Sequence, residues 1–139
     1  MSEQHETTLF WDRNLDTAIP TALQTLSPPG LMTRYYFEIY PNTDNMPEDG
    51  DAAWLEDVGD LGWFVISQDR RLHRRERERA ALMRHNVGCF YLWGANASKW
   101  DTFRCFSLAY DRIVEAMNHA TRPFIYRIYK DGTLRQIEL

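Results

Sequence analysis

Apolar positions along this chain alternate between two periods. Leu9-Phe10-Trp11 is a short apolar run ending at Asp12, and it predicts a buried strand. Ala18, Ile19, Ala22, Leu23 and Leu26 then recur at helical spacing, which predicts a helix from a cap at Asp16 to about Leu26. Pro20 is tolerated there because it falls in the first turn. Ser27-Pro28-Pro29-Gly30 ends that helix, and residues 32–40, rich in aromatic and β-branched side chains, predict a second strand. A polar loop over residues 41–50 leads to a short helix expected over 51–58, with Asp51 at its N-terminus.

Trp63-Phe64-Val65-Ile66 is a continuous apolar run, the pattern of a parallel strand covered on both faces, and it ends at Ser67-Gln68-Asp69. An arginine-rich helix is predicted over residues 74–85 and a fourth strand over 87–93. Ser98 and Asp101 have the spacing of a capping box. From there Phe103, Phe106, Tyr110, Ile113 and Met117 repeat at three and four residues, predicting a long amphipathic helix that closes near Arg122-Pro123. A fifth strand follows over residues 124–129, then a tight turn at Lys130-Asp131-Gly132 and a short last strand over 134–137. Strands alternating with helices predict an α/β fold with a largely parallel central sheet flanked by helices.

Length and composition narrow this only a little. The chain has 139 residues, which predicts one domain over residues 1–139. At 44% hydrophobic and 26% charged residues it is globular in composition. No apolar run reaches membrane-spanning length and the start is polar, so no membrane association and a cytoplasmic location are expected. Two cysteines, Cys89 and Cys105, form no disulfide framework and are expected as buried thiols. His5, His73, His85 and His119 lack metal-ligand spacing.

Charge changes the picture more. The net charge of −4 divides into −10 over residues 1–60 (twelve acids, two arginines) and +6 over residues 61–139 (eight acids, fourteen Lys and Arg). A plain nucleic-acid binder is basic throughout. An acidic cluster facing a basic one suits carboxylates that hold a metal ion beside arginines that hold phosphates, although solvated surface explains the same asymmetry.

Sites in open parallel sheets form at the carboxyl ends of strands. Asp12 ends the first strand, Asp69 the third, Asp51 heads a short helix, and Glu78 lies in the arginine-rich helix. Carboxylates gathered at one edge repel one another unless a hard cation such as Mg²⁺ is shared between them. The competing reading makes Asp12 and Asp69 ordinary helix N-caps. Arg70, Arg71, Arg74, Arg75, Arg77 and Arg79 place six cations in ten residues. They suit an RNA backbone, or a solvated helix with pairs such as Arg74–Glu78 one turn apart. Trp54 is a candidate for the rim of such a site.

The segments Phe10-Trp11-Asp12-Arg13-Asn14-Leu15, Asp51-Ala52-Ala53-Trp54-Leu55, Gly62-Trp63-Phe64-Val65-Ile66-Ser67-Gln68-Asp69-Arg70-Arg71-Leu72 and Glu78-Arg79-Ala80-Ala81-Leu82 resemble the PIN-like domains related to VapC toxins, over roughly residues 9–92. The resemblance implies a three-layer PIN-like fold and metal-dependent cleavage of RNA. It implies that Asp12, Asp51 and Asp69 hold Mg²⁺ or Mn²⁺, and for the family's usual further catalytic acid Glu78, Asp57 and Glu56 are the candidates, with Asp101 behind them. Of the arginines, the charge run places Arg70, Arg71, Arg74 and Arg75 on the RNA. The resemblance also implies the toxin of a toxin–antitoxin pair, with an antitoxin protein as partner. Ser67-Gln68 stands where the family more usually has Thr-Arg, and beyond Trp93 the family pattern is not matched. The long amphipathic helix is a candidate homodimer surface.

Two readings of other classes compete. A receiver-like signalling module would phosphorylate Asp69 and use Lys130 as its basic partner, but it needs an acidic pair after the first strand, and Arg13 follows Asp12. A catalytically silent PIN-like protein would bind a partner and no metal.

Overall fold

The computed structural model describes residues 7–41 and 51–139, the side chain of Asp51 excepted. The strands are β1 (Thr7–Trp11), β2 (Leu31–Tyr35), β3 (Phe64–Ser67), β4 (Gly88–Leu92), β5 (Phe124–Ile128) and β6 (Leu134–Ile137). The helices are α1 (Ala18–Leu26), α2 (Tyr36–Ile39), α3 (Asp51–Asp60), α4 (Glu76–Arg84) and α5 (Lys99–His119). One sheet runs in the order β2-β1-β3-β4-β5-β6. Its first five strands are parallel, and only β6 pairs antiparallel, through the tight turn after β5.

The unbroken apolar runs of the strands follow from this layering. Leu9, Trp11, Phe64, Ile66, Phe90 and Leu92 face one core, built with Ile19 and Leu23 of α1 and Phe106, Ile113 and Met117 of α5. Phe10, Val65, Cys89, Tyr91 and Ile125 face the other, built with Trp54, Leu55 and Val58 of α3 and Leu82 of α4. A strand covered on both faces has no solvent side on which to place polar residues. The result is the expected α/β architecture, a mostly parallel sheet between two helical layers.

Three elements differ from expectation. β2 stops at Tyr35 instead of continuing to Tyr40, because β1 offers its last pairing residue at Trp11, opposite Tyr35. The chain then makes the single turn α2, fixed by Glu38 accepting from the Tyr35 backbone N at 3.4 Å and by burial of Tyr36 against Phe10. α4 starts at Glu76 rather than Arg74, since residues 70–75 are held in turns by Asp69 and by bonds from Arg74 N and Arg75 N to the Arg71 carbonyl. With Arg74 outside α4, the expected Arg74–Glu78 helical pair does not form. The polar loop expected over residues 41–50 lies, from Asn42 on, outside the described residues.

The chain direction fixes where chemistry can gather. β1 leads through α1 to β2 on one side, whereas the chain returns through α3 to β3 on the other side of β1. Strand order therefore reverses between β1 and β3, and in open α/β sheets the crevice at such a switch point is where ligands bind.

Candidate active site

Asp12 and Asp69 follow the two strands that flank this crevice. Asp12 comes directly after β1 and is 2% exposed. Its backbone N donates to the Ile66 carbonyl at 3.2 Å, so the first residue past β1 is still anchored to β3. One carboxylate oxygen accepts from Asn14 N at 2.8 Å, and the other accepts a close hydrogen bond from the Ser67 hydroxyl. Ser67 is the last residue of β3 and fully buried. Its Oγ also accepts from Asp69 N at 2.9 Å. One hydroxyl thus links the two acids across the strand ends.

Neither acid caps a helix. α1 begins at Ala18, whose backbone N donates to Asp16 at 2.8 Å, and α4 begins seven residues past Asp69. Both carboxylates instead close turns onto the backbone N–H two residues ahead, at Asn14 and Arg71. A buried carboxylate outside a cap carries a desolvation cost that helix geometry does not explain. That observation moves both residues from the capping reading towards a site.

Asp69 is surrounded by cations. Arg71 Nε donates to Oδ1 at 3.2 Å and Arg75 Nη1 to Oδ2 at 2.8 Å. Burial pushes the carboxyl up, but the bonds from the Arg71 backbone and side chain and from Arg75 outweigh it and hold the group below the ordinary carboxylate value. Asp69 is therefore ionised at neutral pH. Arg71 and Arg75, expected on RNA, lie on this carboxylate. Arg70 and Arg74 are exposed, and Arg70 borders a neighbouring hollow with Gln68.

The remaining candidates separate. Asp51 is the first residue of α3, and its side chain lies outside the described residues. Glu78 sits half-buried in the first turn of α4. Among the described residues no three His, Cys, Asp or Glu side chains form a metal-binding group, so Glu78 does not complete a set with Asp12 and Asp69. Hard oxygen donors of this kind still suit Mg²⁺ or Mn²⁺, which take one or two protein carboxylates plus waters and substrate phosphates. Trp54 is not at a rim: it is 1% exposed and packs on Phe10, ring centroids 5.4 Å apart. The fully buried Ser67 hydroxyl is the site residue that the apolar pattern of β3 conceals, and its one signal is a polar side chain closing an otherwise apolar strand.

Cys89 and Cys105 are free and buried, and burial pushes the Cys105 thiol up to about 11, which leaves it protonated and unreactive. No helix among the described residues is long and apolar enough to cross a membrane.

A family model described as a PIN-like domain matches residues 7–94. That span runs from the first residue of β1 to just past β4 and includes Asp12, Asp51, Ser67, Asp69 and Glu78. No curated protein and no solved structure matches the chain. PIN-like domains are commonly nucleases, hydrolases that act on nucleic acids and typically use divalent metals. The chain belongs to the PIN-like domain family.

Proposed function

We propose that this chain is a metal-dependent ribonuclease, with Asp12 and Asp69 as its central carboxylates. One observation carries the reading: two strand-end acids joined through a buried hydroxyl, which donates to the Asp12 carboxylate and accepts from the Asp69 backbone N–H, at the point where strand order reverses, neither acid serving as a helix cap. Asp51 and Glu78 are proposed as the further acids, and Arg70, Arg71, Arg74 and Arg75 as phosphate contacts. Mg²⁺ or Mn²⁺, when bound, supplies a water of lowered pKa and charge stabilisation at the scissile phosphate.

The chain's own residues do the positioning. Ser67 holds one Asp12 oxygen by a hydrogen bond, and the Asp12 backbone bond to Ile66 keeps that residue level with the β3 end. Asp69 keeps its negative charge because Arg71 and Arg75 favour the ionised form. A guanidinium pairs as well with phosphate as with carboxylate, so these arginines can exchange Asp69 for an RNA phosphate as the strand enters. The resemblance to VapC-related domains extends the proposal to a toxin silenced by an antitoxin protein.

A second reading has an observation of its own. Two guanidiniums on Asp69, with no three-carboxylate group among the described residues, suit a catalytically silent PIN-like protein that binds a partner. RNA cleavage with Mg²⁺ or Mn²⁺ separates the two. The ribonuclease reading expects wild type to cut and Asp69→Asn to lose at least about a hundredfold in rate, as removal of a charged group aimed at the reacting centre does. Equal rates in both proteins, or no cutting by wild type, overturns it.

A further inference from the structure

We infer that single-stranded RNA leaves the acidic pair along a track over the carboxyl ends of β4 and β5, with bases stacking on Trp93 and Tyr129 and phosphates held by Arg70, Arg104, Arg127 and Lys130. The choice of ligand rests on the nuclease reading, but the track is built mostly from residues beyond Gly94, outside the family match.

Two hollows lie end to end past β3. The first, about 400 Å³, starts at Gln68, the neighbour of Asp69, and is bordered by Arg70, Trp93 and Arg127. Gln68 Nε2 reaches the Trp93 carbonyl at 3.5 Å and joins the two strand ends. The second, about 820 Å³, lies between α5 and the β5–β6 turn and is lined by Arg104, Tyr129 and Lys130, with Trp93 and Arg127 as walls common to both.

Charge and ring placement select the occupant. Among the described residues none of Arg70, Arg104, Arg127 and Lys130 joins an ion pair, in contrast to Arg71 and Arg75, which lie on Asp69. Asp101 and Asp131 also line the second hollow, but Asp131 accepts from Thr133 N at 3.0 Å and Thr133 Oγ1 at 2.7 Å, and four cations face two acids. Lys130 Nζ stands 5.5 Å from the Trp93 ring centroid and Arg127 Cζ 5.0 Å from that of Tyr129. A cation over each ring, in a groove that leads to a phosphodiester-cutting centre, is the arrangement that binds unpaired bases and their backbone without regard to sequence. A duplex keeps its bases inside the stack and out of reach of these rings.

The test is fluorescence anisotropy of a labelled ten-nucleotide uridine RNA in EDTA, where no cutting occurs. Arg104→Ala and Lys130→Ala are exposed substitutions that leave the core intact. Together they are expected to weaken binding about tenfold or more and to lower the salt slope by about 0.7 for each cation removed. Trp93→Ala is expected to cost about tenfold and Trp93→Phe to restore most of it, because any aromatic face stacks. Unchanged affinity and salt slope in the double variant, or no binding by wild type at low salt, overturns the track. Cleavage that falls in Asp69→Asn while the double variant binds as wild type removes the track and keeps the nuclease. Binding that weakens as expected in a protein that never cuts keeps the track and removes the nuclease.

Discussion

Ser67 sets the geometry between the acids. Its single hydroxyl donates to Asp12 and accepts from Asp69 N, so removing it takes one hydrogen bond from the Asp12 carboxylate and one from the Asp69 backbone N–H. Outer-shell partners of this kind typically contribute about 10- to 100-fold in metal affinity or activity. Ser67→Ala is therefore expected to lower Mn²⁺ affinity by about that factor, and Ser67→Thr to retain it, since Thr keeps the hydroxyl. A calorimetric titration checks this. Thr33 presents the opposite case. Its Oγ1 on β2 is buried without a hydrogen-bond partner among the described residues, although its carbonyl accepts from Gln24 at 3.0 Å. An unmet buried hydroxyl costs about 1–3 kcal/mol, and Val has nearly the same shape. Thr33→Val is expected to raise stability by about 1 kcal/mol, read as a higher urea midpoint with unchanged slope.

The strands, read as elements, were legible because burial on both faces leaves few choices of residue. Phe64–Ser67 and Gly88–Leu92 lie within a residue or two of where the apolar runs place them. Gly88 shows how tight the packing there is. A Cβ at this position would come within 2.6 Å of both the Phe64 and Phe124 rings. Gly88→Ala is expected to destabilise by about 1–3 kcal/mol, the range for overpacking a filled core, measurable by thermal unfolding. Where elements end was less legible, because ends are set by partners distant in sequence. β2 ends where β1 runs out, and α4 starts late because Asp69 takes the Arg71 backbone into a turn.

The turn before α4 also carries a pH dependence. His73 ties the turn to β4: its backbone N–H donates to the Tyr91 hydroxyl at 3.1 Å, and its Nδ1 lies 2.9 Å from the same oxygen. Burial, then Arg74 and Arg79, lower its pKa. The folded state thus binds a proton less readily than the unfolded chain. Its contribution is present above the unfolded value of about 6.5 and is lost as pH falls from there towards the folded value. Unfolding free energy is expected to decline on acidification from about pH 7 to 5, and the decline to be shallower in His73→Gln. Parallel curves for the two proteins contradict this.

At the scale of the whole molecule, the sheet order β2-β1-β3-β4-β5 is shared by flavodoxin-like folds, so topology by itself does not select a function. The selection comes from what stands at the switch point and from the family match over residues 7–94. Asp12 and Asp69 were legible as strand-end acids because Asp12 directly follows one apolar run and Asp69 comes three residues after the end of another. Their link through Ser67 was not, since it depends on the register of β1 against β3, where Trp11 lies beside Ile66. The arginine run was legible as charge, but its division between Asp69 and solvent follows from a turn that charge pattern does not encode. The cations and rings of the proposed track come from β4, α5 and the β5–β6 turn, and only the fold brings them together.

The central claim is that Asp12 and Asp69 jointly hold a divalent cation. Mn²⁺ binding followed by electron paramagnetic resonance tests it most directly, with wild type, Asp12→Asn and Asp69→Asn compared at equal protein concentration and their folding checked by circular dichroism. The account predicts a saturable Mn²⁺ site in wild type, displaced by Mg²⁺ and weakened at least about tenfold in each folded variant. Binding of equal affinity in all three proteins, or no saturable binding in wild type, contradicts it.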